Sequence, residues 1–241
     1  GVGYTLDASS AGLPTLGSSA FTVTAGAAAA LAFTTQPTNV AGGASIAAFQ
    51  VTVQDANGNT VPVATNQVTL AIGTNPSAGV LSGITASNAA NGVASFAGAA
   101  LDAAGAGYTL TASAAGLTAA TSTTFNVTVG PAARLVFTTQ PTNVANSTNF
   151  AVQVSVTDAG GKNVVTGATN SIAVEIDDNP SQGTLTGTTP VNAVLGVANF
   201  TLSIDRVGVD FSLEATATGL TSVTSTGFNV TIGPAAKLGF T

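Results

Sequence analysis

The chain has 241 residues, 45% of them hydrophobic but only 6% charged, with a net charge of −6. Its four basic residues, Arg134, Lys162, Arg206 and Lys237, are too few to track a phosphate backbone or form a polybasic membrane patch, so nucleic acid is not an expected partner. Cys, His, Trp and Met are absent, which removes disulfides, thiol catalysis, the usual general base and the commonest metal ligand.

Absence of Cys fits an exported protein that stabilises itself by packing alone. No apolar run reaches the roughly 18 residues of a membrane-spanning helix. With no initiator Met and no signal peptide at Gly1, the expectation is a processed product or a piece of something longer.

Residues 1–26 read as two strands: Tyr4 and Leu6 alternate with polar neighbours, then Phe21 and Val23 do the same. A small-residue joint follows, and then the stretch FTTQPTNV from Phe33 to Val40. That stretch recurs from Phe137 to Val144, 104 positions on, and begins a third time at Phe240. A period near 100 residues is too long for a solenoid repeat and suits an independent sandwich domain.

Within the first full period the strands follow in order. Phe49, Val51 and Val53 alternate with Gln50, Thr52 and Gln54, and Val68, Leu70 and Ile72 repeat the pattern. Tyr108, Leu110 and Ala112, then Phe125, Val127 and Val129, complete it. One face of each strand packs and the other is wet. The turns carry the expected chemistry: Asp55-Ala-Asn-Gly-Asn59, Asn75-Pro76 and Asn91-Gly92. The second period matches, with Val152, Val154 and Val156, then Ile172, Val174 and Ile176, then Phe211, Leu213 and Ala215, then Phe228, Val230 and Ile232.

The expected fold is all-β: tandem immunoglobulin-like sandwiches of about seven or eight strands each, joined end to end. The expected organisation is 1–26 as the last two strands of an incomplete unit, 27–130 and 131–233 as complete units, and 234–241 as the joint and first strand of another. FTTQPTNV is expected to be the first strand of each unit. Two strands are not stable alone. Tyr4, Leu6, Phe21 and Val23, with Leu238 and Phe240 at the far end, are therefore candidate contacts to a neighbouring chain by strand addition, if the chain is not simply longer.

The succession FTTQPTNV, VTVQDANGNTV, VTLAIGTNPSAGVLSG, NGVASF, GYTLTASAAGL and STTFNVTVGPAARLVFTTQP resembles the tandem bacterial immunoglobulin-like repeats of very long extracellular surface proteins. The resemblance covers essentially the whole chain. It implies a non-catalytic role in an adhesin stalk, an invasin-like ectodomain or a fibre, outside the cell and at its surface. The expected partners are neighbouring repeats of the same chain or identical chains. Tyr108 falls where an immunoglobulin tyrosine corner would be, and the next unit has Phe211 there.

Five residues are candidates for calcium. Asp55, Asn57 and Asn59 have the oxygen spacing of a short calcium loop, but the matching Asp158-Ala-Gly-Gly-Lys162 has Gly and Lys at the ligand positions, which favours a structural turn. Asp177 and Asp178 form an acidic cluster in one unit only, and a solvated loop is the simpler reading. No other cofactor is expected. Glu175 and Glu214, the only glutamates, lie outward without a Trp or His nearby in sequence, so glycoside hydrolysis is not expected. A carbohydrate- or cell-surface-binding module is the alternative, but most aromatics fall on core positions. Asn126, Asn146, Asn199 and Asn229 head glycan-acceptor triplets, which Thr and Asn abundance alone would generate.

The joint itself carries the physical expectation. Gly130-Pro131-Ala-Ala-Arg134 and Gly233-Pro234-Ala-Ala-Lys237 are far too short for a flexible linker, and the prolines lower hinge freedom. Gly130, Pro131, Gly233 and Pro234 should therefore stack units end to end.

Overall fold

A computed structural model describes residues 1–233; Pro234, Leu238 and Phe240 lie outside the described residues. Every regular element among the described residues is a β-strand. Buried apolar residues form two separate clusters. One is built from Leu31, Phe49, Phe96, Tyr108 and Phe125 with their neighbours, and the other from Leu135, Phe150, Phe200, Phe211 and Phe228 with theirs.

Around the first cluster lie two layers. The first is a sheet of Ala28–Thr35, Phe49–Asp55 and Val93–Phe96, all antiparallel. The second contains Ala86–Asn88, Gln67–Ile72, Leu110–Ser113 and Ala120–Thr121. The hairpin formed by the last two strands extends this layer through Gly105–Tyr108, Phe125–Thr128 and Val40–Ala41. The second cluster repeats the plan, with Arg134–Thr139, Phe150–Thr157, Val197–Ile204 and Leu185–Gly187 facing Val191–Asn192, Ser171–Ile176, Leu213–Thr216 and Val223–Thr224. This is the immunoglobulin arrangement of two packed antiparallel sheets.

The strand pieces outnumber the seven or eight read from sequence. Twelve segments surround the first core because bulges and sheet changes cut the strands, as between Gly105 and Tyr108.

FTTQPTNV is not one strand, which corrects the sequence reading. Phe33–Thr35 ends the first strand on one sheet, while Val40–Ala41 pairs parallel with Phe125–Thr128 on the other. Gln36 to Asn39 make the crossing. The second copy does the same: Arg134–Thr139 ends, and Val144–Ala145 pairs parallel with Phe228–Thr231. Buried Pro37 and Pro141 suit the crossing because they leave no N–H without a ladder partner.

The core is aromatic at its centre. The rings of Phe33, Phe49 and Phe96 stack in series, with centroids 6.1 and 5.5 Å apart. Tyr108 forms the tyrosine corner: its buried hydroxyl donates to the Ala103 carbonyl at 2.9 Å. Phe211, its counterpart, fills the same kind of site without a hydroxyl and is fully buried.

Candidate functional site

The chemistry of this molecule concentrates where one unit meets the next. The turn that follows Phe150–Thr157 projects from the second unit onto the first. Gly161 takes a φ of 80°, which lets the turn close, and its N–H donates to the Asp158 carbonyl at 3.0 Å. The Asp158 N–H donates to the Asn163 carbonyl at 3.1 Å. This fixes Asp158 and Asn163 side by side.

Asp158 is fully buried, and its Oδ2 accepts hydrogen bonds from the Gly130 N–H at 3.1 Å and from Asn163 Nδ2 at 2.8 Å. Asn163 reaches across the joint. Its Nδ2 donates to the Asp102 carbonyl at 3.0 Å, and its Oδ1 accepts the Ala104 N–H at 2.7 Å. One amide side chain thus satisfies main-chain groups of the neighbouring unit in both directions, as a strand partner would. Lys162 adds charge: its Nζ lies 3.1 Å from Asp102 Oδ2 and donates to the Ala78 carbonyl at 3.0 Å. Asp102 is held for this by the Val80 N–H, which donates to its Oδ1 at 2.7 Å.

Glycine makes the approach close enough. A Cβ on Gly43, whose φ is 75°, would run into the Gly160 main chain, and one on Gly160 would meet the Asp102 main chain. Gly42 faces the side chains of Asn163 and Asp158 in the same way. Gly130 is buried in this contact, while Pro131 is exposed beside it.

The joint ahead of the first unit uses the same device. The Gly26 N–H donates to Asp55 Oδ2 at 2.8 Å. Asp55 Oδ1 accepts the N–H groups of Asn57 and Asn59, each at 2.9 Å, and Asn59 Nδ2 lies 3.2 and 3.1 Å from the two oxygens. These donors, the Gly26 N–H foremost and then the Asn59 side chain, hold the Asp55 carboxyl down at about 2. Its folded pKa lies below its unfolded value of 3.8, so its contribution is complete above about pH 4 and is lost as pH falls through 2. Acid should therefore loosen this joint between pH 4 and 2. Asp55→Asn should abolish that step in the pH profile of unfolding, measured unit by unit by amide exchange. At the far end the Gly233 N–H donates to Asn146 Oδ1 at 3.0 Å.

Asn163 was not among the sequence candidates. The turns differ by one residue: Asp55-Ala-Asn-Gly-Asn59 is matched by Asp158-Ala-Gly-Gly-Lys-Asn163. Aligning them without a gap puts Lys162 opposite Asn59, whereas the hydrogen bonds pair Asn163 with Asn59. An alignment allowing one insertion would have found it.

The calcium candidates fall in two places. The Asp55 carboxylate accepts N–H donors on both oxygens, and Asn59 turns its amide nitrogen toward it. Asp177 and Asp178 are exposed, and Asp177 Oδ2 accepts the Ser212 hydroxyl at 3.3 Å. Among the described residues no three carboxylates gather as metal ligands would. Glu175 and Glu214 are direct cross-strand partners on a sheet face, a like-charge pair that weakens the sheet slightly.

Tyr4, Leu6, Phe21 and Val23 sit on an exposed hairpin whose strands are Asp7–Ala8 and Leu16–Gly17. Its Leu6 N–H donates to Ser18 Oγ at 3.0 Å, as the Leu110 N–H does to Ser122 Oγ at 2.9 Å. The hairpin thus repeats a hydrogen bond of the last two strands of the first unit. Yet Tyr4 is 51% exposed where Tyr108 is 0%. An open pocket of about 670 Å³ lies between the hairpin and the first unit, lined by Val2, Tyr4, Val23, Asn59, Pro62 and Val63 among others. Tyr4 and Phe21 are the large aromatic side chains exposed among the described residues.

No protein-family model matches the chain, and no curated protein matches it. Solved structures to which it is similar include the D0–D1 domain of intimin, at 20% identity and a TM-score of 0.34, over 83% of this chain and 97% of that one. The Escherichia coli adhesin FdeC is similar at 16% identity and a TM-score of 0.35, over 96% and 74%. A β-glycosidase from Bacteroides vulgatus is similar at 12% identity and a TM-score of 0.36, over 83% of this chain but 24% of that one.

Proposed function

We propose that the chain is a stretch of a non-catalytic, extracellular stalk or fibre at a bacterial cell surface, in which each immunoglobulin-like unit acts as a rigid spacer. The observation that carries this reading is the joint. Asn163 and Lys162 bond to Asp102, Ala104 and Ala78 of the preceding unit, and the Asp158 carboxylate fixes the connecting Gly130. A connection built this way transmits orientation from unit to unit. No helix among the described residues is long and apolar enough to cross a membrane. The composition, with few charges and no Cys, and the resemblance to bacterial surface repeats support that location.

Solution scattering tests the spacer. Each unit contributes on the order of 40 Å along the axis, from strands of roughly eight residues plus loops. The protein should therefore give the profile of one stiff rod, with a cross-section of a single sandwich at every salt concentration. A profile that needs a broad distribution of inter-unit angles would overturn the reading.

A second reading rests on the hairpin. Its exposed Tyr4, Leu6, Phe21 and Val23 repeat residues that are buried in both complete units, so an immunoglobulin half-unit would cover them. A half-unit in the same polypeptide makes it one more spacer; one from an identical chain makes the protein a filament subunit. Concentration-dependent mass measurements separate the two, since only the second predicts growing oligomers.

A further inference from the structure

We propose that the Gln-Pro-Thr-Asn crossing is a force-bearing clamp, so that each unit is built to resist load along the axis of the array. The inference rests on the spacer reading and assigns a further function to a motif that the joint does not use. The chain enters the first unit at Gly26, beside the Ala28–Asp55 pair, and its first strand runs from there toward the crossing; the last strand runs parallel to Val40–Ala41 and on to Gly130, so entry and exit lie at opposite ends. Val40–Ala41 lies near the beginning of that path and Phe125–Thr128 near its end, and the two run parallel, with Val40 opposite Val127 and Ala41 opposite Thr128. Tension applied at the two ends therefore drags these neighbours in opposite directions along their length. Hydrogen bonds between them lie across the pull and must fail together, whereas a hairpin opened from one end loses its bonds one by one.

The crossing would be the weak point of such a clamp, since the main chain of residues 36–39 is changing sheets there. Side chains fill the gap. Gln36 Oε1 accepts the Thr123 N–H at 2.9 Å, and Asn39 Oδ1 accepts the Asn126 N–H at 2.7 Å. The Gly42 N–H continues the row, donating to the Thr128 carbonyl at 2.8 Å. The second unit reproduces every member. Gln140 Oε1 accepts the Thr226 N–H at 2.9 Å, Asn143 Oδ1 accepts the Asn229 N–H at 2.8 Å, and the Asn146 N–H donates to the Thr231 carbonyl at 2.8 Å. These side-chain bonds are exposed. Because water competes for them, each contributes little to equilibrium stability. Their alignment with the shear direction gives them a mechanical weight that their thermodynamic weight does not.

Pulling a single molecule from its two termini tests the clamp. The unaltered protein should show two high-force events, each releasing on the order of 300 Å of contour, the length of an unfolded unit less its folded span. In the double variant Gln36→Ala, Asn39→Ala the event of the first unit should drop out of the high-force class while the second unit keeps its own. The reciprocal variant Gln140→Ala, Asn143→Ala should exchange the two. Thermal unfolding should show both units folded in each variant. If a double variant leaves its unit unfolded, the single Asn39→Ala and Asn143→Ala variants decide in its place. Two unchanged high-force events in the variants would overturn the proposal, as would unaltered units that yield without a high-force event. Either outcome leaves the spacer reading standing if scattering still shows a stiff rod.

Discussion

Gly43→Val should uncouple the two units. Gly43 has a φ of 75°, which a β-branched residue adopts only with strain, and the added Cβ would collide with the Gly160 main chain. No side-chain rotation relieves a clash with backbone on both sides. The units must separate, and with the gap go the bonds from Asn163 to Asp102 and Ala104, and the Lys162 contact with Asp102. Asp102 and Asn163 regain water when the gap opens, so the loss is moderated; the strain at Gly43 adds about 1–3 kcal/mol. Scattering should change from a stiff rod to an ensemble of bent pairs, while each sandwich keeps its own fold. Ala41→Ser, two residues earlier at the end of the Val40–Ala41 strand, is the control and should leave the rod intact.

Phe49→Ala should destabilise the first unit by about 3–5 kcal/mol, the usual effect of deleting a buried ring. Phe49 is 1% exposed and stands between Phe33 and Phe96, so its removal breaks the ring series in the middle. The second core shares no residue with the first. Calorimetry should therefore resolve two transitions in the variant, with only one shifted downward. If both transitions move together, the joint couples the folding of the two units as well as their orientation.

The strands and the two cores were legible in the sequence because alternation at period 2 is a local signal. Val51, Val53, Leu110 and Ala112 declare their inward faces by their neighbours alone. The turns were legible for the same reason, through Asn-Gly, Asn-Pro and Asp-x-Asn-Gly. What the sequence concealed was pairing at a distance. Nothing beside Gln36 or Asn39 says that their carbonyl oxygens meet main-chain donors 87 residues away. Pro37 hinted that the strand stops, but alternation around Phe33 and Val40 reads equally well as one strand. The joint was half legible. Its shortness and its Gly-Pro pair are local, so stiffness could be inferred. The Asn163 amide that bridges it was hidden by a one-residue insertion and by the need to know which loops of the preceding unit face it.

The joint also has a direction. The surface that gives Asn163 and Lys162 is one end of a unit, and the surface that receives them, with Gly43, Asp102 and Ala104, is the other. Two different ends make a heterologous contact, which extends as an open series whenever its rotation does not close a ring. A unit that docks this way leaves its own receiving end free for the next. In the proposed stalk, copies could therefore be added or removed in evolution without redesigning any of them, and copy number would set its reach.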